Sequence, residues 1–289
     1  MAVLVFLAAW LGTSQAHALR SLFDVLPPDT KLAALLPESE MRANLQDGVL
    51  LGTGAERLRR SPDGNLRIER ARHYTHVRHP KTGRTVSLPE PWDVVAIVIV
   101  TPAMRLVSCD TRFIFKRAAD NVLGDYKLSD HHTWLFEKDR SLLRASRDGK
   151  SLIRDDYLGT KLIKSERSDY PPKALPVELL CLFMGVAVQR RVDEFAFELI
   201  IPGGSRHGVR AQVHHTRDLR RFAKGYPVPV KRQVSQETLA IVDIRLSSPF
   251  KSLFFPHHFY IAYADAEPST PTMVWGGDPA ETMQAFRLD

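Results

Sequence analysis

Residues 170–204 read YPPKALPVELLCLFMGVAVQRRVDEFAFELIIPGG, and this stretch decides the fold. Between residues 175 and 189, Val177, Leu179, Leu180, Cys181, Leu182, Phe183, Met184, Val186 and Ala187 put apolar side chains at every helical angle. Pro176 suits a first helical turn, where its missing N–H costs nothing, and the helix dipole favours Glu178 there. A helix with no polar face has none to offer water, so it must be enclosed. The material that follows it is strand-like, beginning with Phe195-x-Phe197. The stretch therefore calls for a sheet wrapped around a helix.

Outward from the helix, strand patterns dominate. Residues 133–137, 142–145, 151–158, 195–201, 209–215, 239–246 and 258–264 are short runs rich in β-branched and aromatic residues. Residues 92–101 are Val- and Ile-rich without alternation, as in a central strand covered on both faces. In the next run, Val107, Cys109, Thr111, Phe113 and Phe115 alternate with Ser108, Asp110, Arg112, Ile114 and Lys116, which predicts a half-buried strand. Turn chemistry at Ser61-Pro62-Asp63-Gly64-Asn65, Lys81-Thr82-Gly83 and Arg147-Asp148-Gly149-Lys150 separates such runs and implies antiparallel hairpins. Near the start, Asp29 or Thr30 can cap a short helix to Leu36, and Ser39 can cap a second over 40–46, ended by Gly48. The expected fold is mainly β: a curved antiparallel sheet, or half-barrel, around one buried helix, with short N-terminal helices.

The first residues, MAVLVFLAAWLG, are an apolar run followed by Ala16-His17-Ala18, the small-residue spacing that a signal peptidase reads. Residues 1–18 are expected to be a signal peptide, and residues 19–289 a single β-rich domain that is periplasmic or secreted. The first cysteine is Cys109, too late for lipid attachment at a processed N-terminus. The other apolar runs fall short of the roughly 20 residues that a spanning helix needs.

The chain carries a formal charge of +7, unevenly spread. Residues 57–84 hold nine Lys or Arg against Asp63 and Glu69, whereas acidic residues dominate from 262 onward. Alternating charge of this kind belongs to solvated strand faces that discourage edge pairing. Its sharper alternative is a basic face for an anionic lipid headgroup or another anionic envelope component. No nucleic-acid reader motif accompanies it, so nucleic acid is not an expected partner.

The order Tyr-Pro-Pro, apolar helix, Phe-x-Phe strand and Pro-Gly-Gly turn across residues 170–204, with the exported start and the run of hairpins, resembles the periplasmic half-barrels related to the lipoprotein-carrier (Lol-type) fold. That resemblance is architectural and covers about half of the chain. It implies a role in holding an acyl chain or in envelope assembly, and it transfers no functional residue.

Catalytic and metal signatures are weak. The pairs His131-His132, His214-His215 and His257-His258, with His73, His76 and His79, could gather around a metal, but strand neighbours point to opposite faces. No Gly-x-Ser-x-Gly or Ser-x-x-Lys motif is present, and Gly203-Gly204-Ser205 reads as a turn. No metal site, catalytic residue or cofactor is therefore expected. Cys109 on a strand face and Cys181 on the helix are either a disulfide or two buried free thiols. An aromatic-rich end, including Phe250, Phe254, Phe255, Phe259, Tyr260, Tyr263 and Trp275, closes the chain.

The expected function is that of a non-enzymatic exported scaffold binding a lipid-like ligand or an envelope component in an apolar groove between sheet and helix. Phe183, Met184, Phe255 and Tyr260 are the expected lining. The alternatives are a hydrolytic or metal-dependent enzyme using the histidines, and a structural interaction module without a small ligand.

Overall fold

The structure is a computed structural model that describes residues 19–26, 32–114, 122–128, 137–200, 206–219, 222, 238–247, 258–264, 267–276 and 283–288. Its elements run α1 (Leu22–Val25), a 3-10 turn (Leu32–Leu35), β1 (Ser39–Asp47), β2 (Leu50–Arg60), β3 (Leu66–Arg78), β4 (Thr85–Val100) and β5 (Leu106–Ile114). Then come β6 (Arg140–Ala145), β7 (Ser151–Leu158), β8 (Lys161–Asp169), β9 (Ala174–Pro176) and a 3-10 turn (Val177–Leu179) that runs straight into α2 (Leu180–Gln189). The chain ends with β10 (Glu194–Ile200), β11 (Arg206–Thr216), β12 (Leu239–Leu246), β13 (Phe259–Ala264), β14 (Glu267–Gly276) and β15 (Met283–Leu288).

The fifteen strands among the described residues belong to one sheet, ordered β8-β7-β6-β5-β4-β3-β2-β1-β15-β14-β13-β12-β11-β10-β9. Two meanders are thus joined at β1 and β15, and every pair is antiparallel except β9 with β10. The edge strands β8 and β9 stand at opposite ends of this order, yet only residues 170–173 connect them. At about 3.6 Å per residue at most, that connection spans no more than roughly 18 Å. The sheet must therefore curl until its edges approach, making a barrel-like wall with a seam.

Arg105, in the β4–β5 turn, fastens the seam. Its guanidinium lies 3.4 Å from the Tyr170 ring centroid. It donates to the carbonyls of Tyr170, Pro171 and Pro172 at 3.2, 3.1 and 3.1 Å. The Leu106 amide in turn donates to the Tyr170 hydroxyl at 3.1 Å.

The buried helix forms where the sequence puts it except at its start, where residues 174–176 pair with β10 as β9 and Pro176 precedes the 3-10 turn; residues 182–188 of α2 are all buried. Phe183 packs against Phe23 of α1 with ring centroids 5.6 Å apart, and Tyr263 of β13 donates its hydroxyl proton to the Cys181 carbonyl. The three turn segments form as expected, and the strands over 142–145, 151–158, 195–201, 209–215, 239–246 and 258–264 are found within a few residues of their predicted ends. The strand expected at 133–137 lies outside the described residues except for Glu137.

Two expectations are corrected. Residues 40–46 are the body of β1, not a helix. The alternation of Met41, Ala43 and Leu45 with Arg42, Asn44 and Gln46 has a period of two, and pairing with both β2 and β15 outweighs the Ser39 cap signal. Gly48, expected to end that helix, instead makes the β1–β2 hairpin. Asp47 faces Leu50 across a two-residue loop, and the φ of +56° at Gly48 is what a type II′ turn requires at its first position. In β5, Ser108 pairs with Ile99 but Leu106 pairs with Val100, so Val107 is bulged out and 38% exposed. Leu106 takes the inward place that alternation alone assigns to Val107.

Candidate functional site

A cavity of about 500 Å³ lies between the inner face of β1–β5 and the start of the helix. Strand register explains it. Met41, Glu56, Arg70, Ala96 and Thr111 are directly opposite one another across β1 to β5, and Ala43, Gly54, Arg72, Val94 and Phe113 form the next inward row. All ten line the cavity, and three of them, Ala43, Gly54 and Ala96, are Ala or Gly. Short side chains leave volume between sheet and helix that neighbouring rows fill with Leu, Ile and Val.

The helix contributes the opposite wall through Val177, Glu178, Leu180 and Cys181, while Phe259 and Pro271 close the side toward β13 and β14. Apolar surface predominates, with a band of charge set into it. Arg70 Nε donates to Glu56 Oε2 at 2.6 Å, and Arg70 Nη1 donates to the Glu178 carbonyl at 3.1 Å. One row along, Arg72 Nη1 and the Tyr74 hydroxyl both donate to Asp47 Oδ2, at 3.2 and 3.0 Å. Burial opposes the charge on Arg70, but the adjacent Glu56 carboxylate overcomes it and leaves the pKa above the usual arginine value. Arg72 is raised in the same way, with Tyr74 and Asp47 offsetting burial.

Glu178 differs from these pairs. Its Oε2 is buried without a hydrogen-bond partner, and burial raises its pKa above the usual carboxylate value despite nearby Arg70. Cys109 and Cys181 both line the cavity and are free thiols. Burial pushes each up to about 11, which disfavours the nucleophilic thiolate.

The residues expected to line the groove are placed elsewhere. Phe183 and Met184 are 2% and 0% exposed in the main core and do not line this cavity. Tyr260 sits apart, stacked on His258 with centroids 5.5 Å apart and edge-on to Phe222 at 5.7 Å. Phe255 lies outside the described residues. The aromatic end reaches the cavity through Phe259 instead.

Nor do the described histidines converge. His73 pairs with Asp93 at 2.7 Å, His79 with Asp125 at 2.8 Å and His258 with Asp243 at 3.0 Å, each on a different part of the sheet. His131, His132 and His257 lie outside the described residues. Among the described residues no three His, Cys, Asp or Glu side chains are grouped to hold a metal, and no helix is long and apolar enough to cross a membrane.

The basic run 57–84 divides by face. Arg57 and Arg59 point outward to Glu40 and Glu38 at 3.0 and 3.5 Å, and Arg67 to Glu69 at 2.8 Å. Arg70 and Arg72 point inward as the cavity's cations.

No protein-family model matches the chain, and no curated protein matches it in sequence. Among solved structures, it is similar to a β-barrel-like protein of a domain of unknown function, DUF1849, from Brucella abortus. The TM-score is 0.51 at 8% identity, over 88% of this chain and 97% of that one. At that identity the likeness concerns the fold alone, which is β-barrel-like.

Proposed function

We propose that this protein is an exported, non-enzymatic β scaffold that holds a lipid-like molecule of the cell envelope in the cavity between β1–β5 and the start of α2. The observation that carries the reading is the cavity itself. About 500 Å³ lies within the 300–1,000 Å³ typical of small-ligand sites, and an apolar lining with a few fixed polar groups is the usual composition of such sites. The apolar leader with Ala16-His17-Ala18 supports export, and the barrel-like wall around a buried helix suits the holding of an acyl chain, as in the Lol-type carriers that the sequence resembles. A hydrolytic reading has less support, because the described histidines that pair with Asp lie outside the cavity lining and its thiols are held protonated.

The test is a titration of the purified protein with the neutral fluorescent probe N-phenyl-1-naphthylamine, alongside mass spectrometry of lipid extracted from it. Wild type should bind the probe with one saturable site. Ala96→Phe, which projects a ring into the cavity, should weaken binding by at least about tenfold while the unfolding temperature stays within a few degrees. A wild type that carries no lipid and binds no probe contradicts the reading.

A further inference from the structure

Two guanidinium groups and three carboxyls face the cavity, and their hydrogen bonds show which of them is left for a ligand. Arg70 is engaged by Glu56 and by the Glu178 carbonyl, and Arg72 by Asp47. Each cation therefore already has its own carboxylate. Glu178 has no cation of its own within ion-pairing distance among the described residues, and its buried Oε2 is unpartnered.

We infer that the polar end of the cavity receives the primary ammonium head of an amphiphile, with Glu178 as its partner, while the chain lies along Met41, Val94, Ala96 and Leu180. This rests on the ligand-binding reading above and names the ligand's head group. Burial makes the Glu178 carboxyl costly to ionise even with its own backbone amide, Arg70 and Arg154 favouring the charge, and an ammonium supplies both a paired charge and up to three donors. Burial of Oε2 is no obstacle, because the carboxyl turns about χ3, a broad and nearly two-fold torsion. A carboxylate head would instead meet Glu178, Glu56 and Asp47 together, with both arginines already paired. A neutral alcohol can donate one hydrogen bond but brings no charge. The expected order of affinity is ammonium, then alcohol, then carboxylate. An N-terminal helix position alone would explain a glutamate that is solvated or capped; it does not explain a buried oxygen with no donor.

The experiment compares decylamine, decanol and decanoate by isothermal titration calorimetry at neutral pH, below their micelle concentrations, on the full chain and on Glu178→Gln. Wild type should bind decylamine at least about tenfold more tightly than decanol, with decanoate weakest. Glu178→Gln should abolish the amine preference and leave decanol binding within about twofold. Equal affinities in wild type, or an amine preference that survives in Glu178→Gln, overturns the ammonium assignment while decanol binding still upholds the cavity. If none of the three binds, the assignment and the cavity reading fall together. Should Glu178→Gln not fold, the wild-type ranking alone decides, and one that does not place the amine first overturns the assignment.

Discussion

Two rows of side chains on the same face of the same strands, two residues apart, behave as different materials. Leu58, Ile68, Val98, Cys109 and Leu143 face one another across β2 to β6, every one is at most 6% exposed, and of the five only Cys109 borders the cavity. Roughly 7 Å along the strands, the row Met41, Glu56, Arg70, Ala96 and Thr111 lines open space. Backbone, twist and hydrogen bonding continue unbroken from one row to the other. Side-chain volume and charge make the difference: branched hydrocarbons interdigitate with the helix, whereas Ala and Thr stop short of it and the Arg70–Glu56 pair occupies the middle. The charged band also separates the main core from a second apolar cluster around Tyr74, Trp92 and Leu128. A sheet can thus carry a solid core and a cavity on one face with no change of fold.

The strongest challenge to this contrast is to hollow out the solid row. Ile68→Ala should cost about 3 kcal/mol or more in urea unfolding, the usual result of deleting a fully enclosed branched side chain. A cost below about 1 kcal/mol would mean that the row is loosely packed and that the two regions do not differ.

In the charged row the informative comparison is single against double change. Arg70→Met strands Glu56 beside the cavity and should cost about 2 kcal/mol, reduced from the buried-pair range because both side chains keep about a fifth of their exposure. Adding Glu56→Gln should recover most of that loss. If the double variant is less stable than the single, the pair stabilises the wall itself, and its presence beside the cavity needs a different explanation.

The two kinds of buried carboxyl also titrate with opposite sign. At Asp156, burial works to raise the pKa, but Ser141, Lys138 and Arg154 together hold it below the usual aspartate value. Its stability contribution is present above the unfolded-state pKa and is lost as pH falls through the depressed folded value. Glu178, raised by burial, contributes stability that is full below its unfolded value near 4.5 and is lost as pH rises through its folded value. Glu178→Gln should therefore gain on wild type as pH rises above about 4.5, and Asp156→Asn should lose least against it at the acid end. Stability differences that stay flat with pH in unfolding curves would contradict both assignments.

The smallest effect concerns the thiols. Cys109 and Cys181, both pushed up to about 11, should react slowly with a disulfide reagent in the native protein and yield two thiols on unfolding. Fewer than two after unfolding without reductant would mean a bridge and a narrower cavity.

The sequence announces the solid parts of this molecule more plainly than the hollow one. An all-apolar helix has a single physical meaning, and Val- and Ile-rich strands nearly so. β1 is harder to read, because Ser39 followed by Glu40 imitates a helix start while the competing signal is only three alternating residues, Met41, Ala43 and Leu45. These same three side chains line the cavity. The inward charges are legible only when alternation is carried through them. In Leu66-x-Ile68-x-Arg70-x-Arg72-x-Tyr74, the apolar ends fix the face and oblige the two arginines to share it. Read by composition, residues 57–84 are simply basic; read by alternation, they contain both a solvated face and the polar band of a cavity. Met184 and Phe183 attract attention as large apolar residues, but large side chains fill space, and the cavity lies beside the small ones.

The most direct test is to see a ligand where the register leaves room. A crystal of the protein grown with 11-bromoundecan-1-ol, examined by bromine anomalous scattering, should show one bromine site between Ala96, Val94 and Leu180. A bromine site elsewhere, or a cavity left empty at saturating ligand, would contradict the claim that these two rows of β1–β5 form a binding site.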